Sequence, residues 1–302
     1  MTLVSVIVPS WNTREHLCAC LEALKGSLPP SSEVIVVDNG SRDASARTVH
    51  ERFPWVRLVR NARNTGLAHA LNQGVERARG AYVLFLSPDA QVVGDAVRRM
   101  VAFLEENPRY GAAAPRLLNP DGTTQAAHGR LPNLLTPLFQ GTPLERWLPD
   151  NFELERLLAR DFDYARDGDL SAPSSACLLM RRKALKSTRP FDESMWLYFT
   201  DTDACRRLVK RGWRIAYLAE VCAWHDAGRS TAQYDALQQE WHRNRLAYYR
   251  KHYGRWSAWW VKLCVAWTFA DHCVTEFWAR AHGAIEEPLA PLWQDFALFL
   301  RR

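Results

Sequence analysis

The chain has no CxxC pair and no cysteine–histidine set at zinc-ligand spacing. Its seven cysteines, at 18, 20, 177, 205, 222, 264 and 273, are scattered and odd in number. This argues against a structural zinc module or a disulfide framework and predicts reduced thiols in a cytoplasmic protein. No run of about 18 uncharged apolar residues occurs, so no membrane span is expected. The N-terminus lacks a basic stretch followed by an apolar core and a small-residue cleavage site, so no secretory signal is expected either. Neither GxGxxG nor GxxxxGK is present, which argues against a dinucleotide fold or a P-loop. A phosphate ligand would then need a metal ion, basic side chains or helix N-termini. Internal repeats and low-complexity tracts are also absent.

What remains is an ordinary folded composition. The 302 residues are 47% hydrophobic and 24% charged, enough for one large or two small domains with a proper core. The net charge of +6 favours anionic partners without selecting one. Nucleic acid is not expected, since no recognition module is present. Tryptophan is abundant, with 13 residues, several late in the chain.

Strand and helix signals alternate over the first 110 residues. Apolar runs at Val4–Val8, Val34–Val37, Val56–Val59 and Ala81–Leu86 read as strands. Helical spacing follows at Thr13–Leu24, Asp43–Arg52, Gly66–Ala78 and Gly94–Glu105. Continuous apolar strands separated by helices predict a mostly parallel sheet covered on both faces, with ligands beyond the carboxyl ends of the strands. Residues 119–170 are rich in Pro, Asn, Gly and charge, and predict a long, irregular, mobile connection. Ser175–Met180 and Ile215–Tyr217 read as strands and Asp201–Arg211 as a helix. From Ala236 onward the chain reads helical. The expected division is an α/β domain over 1–235, with halves 1–110 and 111–235, and a helical extension over 236–302.

Three strand ends deliver polar groups: Pro9-Ser10, Asp38-Asn39-Gly40-Ser41-Arg42-Asp43 and Ser87-Pro88-Asp89. A carboxylate at a strand end is commonly a helix cap, and Asp43 is read that way. For Asp38 and Asp89 a ligand role competes with the cap. Three coincident polar strand ends favour a shared site.

These segments resemble the family 2 glycosyltransferases, which have the GT-A fold. The resemblance rests on "VSVIVPSWN", "VIVVDNGSRDAS", "RNARNTGLAHALNQGVERARGAYVLFLSPDA", "FDESMWLYFTDTDACRRLVKRGW" and "WHDAGRS", in order over about residues 3–250. Its nearest flavour is the bacterial rhamnosyltransferase-like branch of cell-surface polysaccharide synthesis. The resemblance implies a metal-dependent, inverting transfer from a dTDP- or UDP-linked sugar to a glycan or lipid-linked acceptor. It implies that Pro9, Ser10 and Asn12 line the nucleotide pocket, that Asp38 meets the base, and that Gly40 and Ser41 shape the turn. Asn64 and Gly66 would cover the nucleotide, with Asn72 in support. Ser87 would border the donor, and Asp89 would hold Mg2+ or Mn2+. Many relatives have Asp-x-Asp here and this branch commonly has Asn-Pro-Asp; this chain has Ser87-Pro88-Asp89, which leaves one strong carboxylate.

The family's Glu-Asp-x-Asp becomes Thr200-Asp201-Thr202-Asp203 here. By resemblance Asp201 is the catalytic base, since inversion needs a carboxylate to take the acceptor's proton. Asp203 supports it or starts the helix. His225 stands where relatives place a metal- or phosphate-contacting histidine, and Arg229 follows within reach of a diphosphate. Ser175 and Trp196 are candidates for the acceptor pocket or its support, with tight packing as the competing reading.

On a helical wheel Trp259, Trp260, Leu263, Ala266, Trp267, Ala270, Val274, Phe277 and Trp278 share one face. Lys262, Asp271, His272, Thr275 and Glu276 lie opposite. Such a face meets a membrane interface, the inner face of the plasma membrane for instance, or packs on the catalytic domain or on a second subunit as a homodimer. Two rival functions stay open: a sugar nucleotidyltransferase, which would want a Gly-rich basic loop after the first strand, and a non-catalytic nucleotide-sugar-binding scaffold.

Overall fold

β-Branched residues fill successive pleats of the first strands, and burial on both faces explains why each reads as a continuous apolar run. The computed structural model describes residues 3–185, 187, 189–227 and 237–281. In it β1 is Val4–Ser10, β2 Glu33–Asp38, β3 Val56–Arg60 and β4 Tyr82–Leu86. They run parallel in the order β3-β2-β1-β4. Ser10 lies opposite Asp38, and Asp38 opposite Arg60, so the strand tips meet along one edge. Helices α1 (Arg14–Ser27), α2 (Ser45–Arg52) and α3 (Leu67–Arg77) make the crossovers. Alternation along β1 divides the core. Val6 and Val8 pack in one cluster with Leu17, Leu21 and Leu24 of α1, while Ile7 joins Leu71 and Val75 of α3 in the other.

The sheet then changes character. It continues through β5 (Ala90–Val92), β6 (Tyr110–Leu118), β7 (Gly168–Asp169), β8 (Cys177–Arg181) and β9 (Arg214–His225), with α4 (Ala96–Glu106), α8 (Arg182–Leu185) and α9 (Thr200–Lys210) between them. Beyond β4 the order is β8-β6-β9-β5, with β7 beside β9. Here only β6 and β9 pair in parallel. β6, "YGAAAPRLL", carries alanines and a proline that disfavour strand, and burial between β8 and β9 overrides this. The ladder shifts register between Pro115 and Arg116, where the proline has no N–H to give. β9 runs 12 residues, well past the Ile215–Tyr217 expected from its apolar core. Its extension pairs with β5 and sets His225 opposite Ala90.

The chain forms two compact units, Met1–Arg130 with Phe162–Asp235 and Leu131–Asp161 with Ala236–Arg302. The sequence kept residues 131–161 inside the 1–235 domain as an irregular connection. The structure instead groups them with the C-terminal helices, as α5 (Thr136–Phe139), α6 (Pro143–Trp147) and α7 (Phe152–Leu157). Thr142 and Asn151 cap α6 and α7. Buried Glu153 accepts from Asn133 (3.1 Å), Arg156 (2.9 Å) and Thr136, folding the segment on itself. Tyr249 and Trp260 donate to the carbonyls of Asn133 and Leu134, both at 2.8 Å. These two residues lie on α10 (Leu237–Tyr253) and α11 (Arg255–Ala281), which are joined at Gly254 with φ +86°.

Within the first unit α3 approaches β1 so closely that a Cβ on Gly74 would fall 2.3 Å from Ile7 Cγ2. Gly74→Ala gains about 1 kcal/mol of helix propensity. Overpacking at this buried contact costs about 1–3 kcal/mol. The expected result is a net loss of stability, read as a lower urea midpoint. A midpoint unchanged or raised would show that β1 and α3 can separate without cost.

Candidate active site

The polar tips of β1 and β2 are held by one asparagine. Asn39 Oδ1 accepts from Asn61 Nδ2 (3.0 Å), Thr65 N–H (3.0 Å) and Thr65 Oγ1 (2.9 Å). Its Nδ2 donates to Asn64 Oδ1 (2.8 Å) and to the Gly66 carbonyl (3.2 Å). Asn64 thus supports the loop, and accepts from Gly66 N–H as well. Two glycines are required here. A Cβ on Gly40 (φ +80°) would meet the Arg63 backbone at 2.7 Å, and one on Gly66 (φ +92°) the Trp196 indole at 2.3 Å. Asn12 ties β1 to the turn after β2: its N–H donates to Ser41 Oγ (2.9 Å), and its Oδ1 accepts from Arg42 N–H (2.7 Å). Asp43, read as a helix cap, lies one residue before the N-cap Ala44 of α2 and accepts the first N–H of two helices, Ser45 (3.0 Å) and Arg14 (2.8 Å). Asp38 is buried, and Oδ2 accepts weakly from Ser41 N–H (3.3 Å). Its Oδ1 is buried with no hydrogen-bond partner.

A second cluster forms where β5 meets β9. Asp226 N–H donates to the Asp89 carbonyl (3.1 Å), and His225 Nε2 lies 3.6 Å from Asp89 Oδ1. The Ser87 hydroxyl also donates to Asp89 Oδ1. His225 is oriented by Gln125, whose Nε2 donates to Asn119 Oδ1 (2.9 Å) and to the His225 carbonyl (3.1 Å). That leaves Gln125 Oε1 to accept from His225 Nδ1 at 2.7 Å. The imidazole therefore carries its proton on Nδ1 and turns the Nε2 lone pair toward Asp89. Burial lowers the His225 pKa, against an upward pull from Asp89 and Asp226. A carboxylate oxygen and a neutral imidazole nitrogen at this separation fit a divalent ion whose other positions are taken by phosphate oxygens and water. Among the described residues no group of three or more His, Cys, Asp or Glu could hold a metal by itself.

The third cluster opens α9. Asp201 Oδ2 accepts from Ser175 N–H (3.3 Å) and Oγ (3.2 Å), and Oδ1 from Thr202 N–H (2.7 Å). Asp203 is fully buried against Arg207 (2.8 Å), which makes it a structural partner of α9. Thr200 is buried and turned to the Leu197 carbonyl. Trp196 covers Gly66, and its carbonyl accepts from Leu67 N–H at 2.7 Å. Behind Ser175 stands His128, whose Nδ1 accepts from Ser174 N–H (3.2 Å) while Nε2 donates to the Pro115 carbonyl (3.0 Å). Desolvation pushes His128 down to about 4, helped by nearby His225 and opposed by the Pro115 bond.

A cavity of about 350 Å³ joins the three clusters. Pro9, Ser10, Ser87, Ser175, Asp201 and His225 line it, Tyr198 contributes an aromatic wall, and Trp11 and Asn39 contribute walls that carried no assigned role in the sequence. Asp38, Asn12, Gly40, Ser41, Asn64, Gly66 and Asp89 shape or border this edge without lining the cavity. Trp196 and Asp203 are turned into the fold, and Asn72 fastens Phe191 and Glu193. Arg229 lies outside the described residues. Gln125 and His128 escaped the sequence reading. The Asn119-Pro120-Asp121-Gly122 turn could have marked the hairpin that carries them.

The family model for glycosyl transferase family 2 matches residues 5–189. An N-acetylglucosaminyl-diphospho-decaprenol L-rhamnosyltransferase of Mycobacterium tuberculosis is 26% identical over 88% of this chain and 89% of its own. Among solved structures, TarS of S. aureus with UDP-GlcNAc gives a TM-score of 0.56 at 19% identity, covering 82% of this chain and 65% of TarS. A mannosyltransferase of Pyrobaculum calidifontis with GDP-Man and Mn2+ gives 0.55 at 17% identity, covering 98% and 84%. These likenesses show the GT-A fold, which the mixed sheet and its helices match.

His128 makes the site's scaffold acid-sensitive. Its folded pKa of about 4 lies below the ordinary 6.5. The unfolded chain therefore binds the proton first as pH falls. Its contribution is intact above pH 6.5 and is lost progressively toward pH 4. The loss amounts to about 3 kcal/mol. Urea midpoints measured against pH should fall less steeply in His128→Gln than in the native chain, because His225 and His242 keep titrating in both. Parallel curves would remove His128 as the cause.

Proposed function

The chain belongs to glycosyl transferase family 2, and from that premise we propose an inverting, metal-assisted transfer of a hexose or deoxyhexose. The donor is a dTDP- or UDP-linked sugar, with rhamnose the favoured sugar. The acceptor is a hydroxyl of a glycan or lipid-linked carrier in cell-surface polysaccharide synthesis. The observation that carries this reading is one cavity bringing the Asp89–His225 cluster and Asp201 to the same strand edge. The similarity to the mycobacterial rhamnosyltransferase, over 88% of this chain, supports the sugar and the lipid-linked acceptor. Seven unpaired cysteines support a reducing, cytoplasmic compartment.

Each pole of the site has its own task. Asp38 Oδ1, buried without a partner, would accept the imide N–H of thymine or uracil, which satisfies an otherwise costly group. Asp89 and His225 would hold a Mg2+ or Mn2+ ion at the diphosphate. When bound, that ion offsets the charge left on the departing nucleoside diphosphate. Asp201 takes the proton of the acceptor hydroxyl as its oxygen bonds to the anomeric carbon and the bond to the diphosphate breaks on the opposite face. Ser175 and Thr202 hold the Asp201 carboxylate while a lone pair stays available for that proton.

A thermal-shift panel of nucleoside diphosphates and their sugars, with and without Mn2+, tests the donor site. One nucleotide should raise Tm in a metal-dependent way, and Asp89→Ala should abolish the shift. No shift with any nucleotide would sink the assignment. Asp201→Asn should keep the donor shift and lose about 10²–10⁴ in kcat. A variant that stays active would need another base. Gln125→Ala should weaken Mn2+ binding about 10- to 100-fold in electron paramagnetic resonance titrations, since the imidazole loses its orienting partner. Unchanged affinity would show that Gln125 serves the hairpin alone.

A further inference from the structure

α11 is 27 residues long and amphipathic, and its two sides have different fates. One side is covered within its own unit. Ser257, Val261 and Cys264 are buried there, Trp260 Nε1 donates to the Leu134 carbonyl, and Asp271 pairs with Arg146 at 3.1 Å. The opposite stripe comprises Trp256, Trp259, Leu263, Val274, Phe277 and Trp278, each between 57% and 70% exposed. At 3.6 residues per turn these six fall within an arc of about 100° along a helix about 40 Å long. The sequence placed Trp260 on this stripe. The structure turns it inward, packs Trp267 edge-on against Trp147 with 6.0 Å between ring centres, and leaves the six residues of the stripe exposed.

Charge accompanies the stripe. Residues 241–270 contain no Asp or Glu and six Lys or Arg, at 243, 245, 250, 251, 255 and 262. Arg245 is buried, its guanidinium over the Trp241 ring. Arg250, Arg255 and Lys262 instead line an open cavity of about 410 Å³ with Trp259, and Lys262 Nζ sits 5.4 Å from the centre of that indole ring. A cationic pocket beside exposed indoles matches the layer of a bilayer where phosphate and the first acyl carbons meet. No described helix is long and apolar enough to cross a membrane.

We propose that this face of α11 docks in the plane of a membrane surface carrying anionic phospholipid. The indoles and Phe277 enter at headgroup depth, and Arg250, Arg255 and Lys262 take the lipid phosphates. A second copy of the chain is a poorer occupant, because a like surface would set a second Arg250, Arg255 and Lys262 against these. The inference does not depend on which sugar or nucleotide the enzyme uses.

Co-sedimentation of the full chain with vesicles tests it. Phosphatidylcholine vesicles containing about a third phosphatidylglycerol should bind the protein and shift its tryptophan emission to the blue, and salt should weaken the binding. Vesicles of phosphatidylcholine alone should bind far less. Arg255→Gln with Lys262→Gln should cost about 30-fold, near five-fold per cation. Trp259→Ser with Leu263→Ser should cost about ten-fold or more. Circular dichroism and melting temperature, unchanged in both pairs, separate lost docking from lost folding. The proposal is overturned if neither vesicle binds, or if binding survives both pairs. It is also overturned if sedimentation velocity shows a dimer that Trp259→Ser with Leu263→Ser dissolves while no vesicle binding is seen.

Discussion

Everything at the strand edge hangs on the side chain of Asn39. Parallel strands deliver their tips to one side of the sheet, but tips alone make no binding surface. Asn39 uses both halves of its amide to draw the loop from Asn61 to Gly66 against the end of β2. That loop approaches so closely that only glycine fits at 40 and 66. The result is a rigid edge in which Asp38 is buried with one oxygen unanswered. A buried acceptor without a partner is expensive unless something else supplies the donor.

The other two clusters are governed from a single hairpin. Gln125 sets the tautomer of His225, and His128 three residues later holds the Ser174–Ser175 turn that grips Asp201. One short irregular segment thus orients groups at two walls of the cavity. Both act through neighbours, so neither need touch a ligand to matter. Polar positioning groups of this kind tolerate little movement, because each bond is made in a region where water cannot replace it.

The second unit follows different physics. Its short helices are fastened by a buried carboxylate and by tyrosine and tryptophan donors to backbone carbonyls. Such bonds use the polar tips of large side chains and bury their apolar bodies. The six-residue stripe of α11 departs from that rule. It presents indole and phenyl surface outward beside a cationic pocket, a combination that pure folding stability does not require.

The strand–helix alternation, the polar strand ends and the family were legible in the sequence, because they rest on local periodicity and on contiguous motifs. The places of Asp43 and Asp203 at helix starts were legible for the same reason. Partnerships between distant residues were not. Whether Gln125 meets His225, whether Trp196 covers Gly66 or faces a sugar, and whether residues 131–161 join the C-terminal helices depend on chain segments brought together from far apart. β6 became a strand through the neighbours that bury it, against its own propensity. The wheel of α11 showed that one face is apolar, and packing decided which side is covered. Periodicity is a property of the chain, whereas burial is a property of what surrounds it.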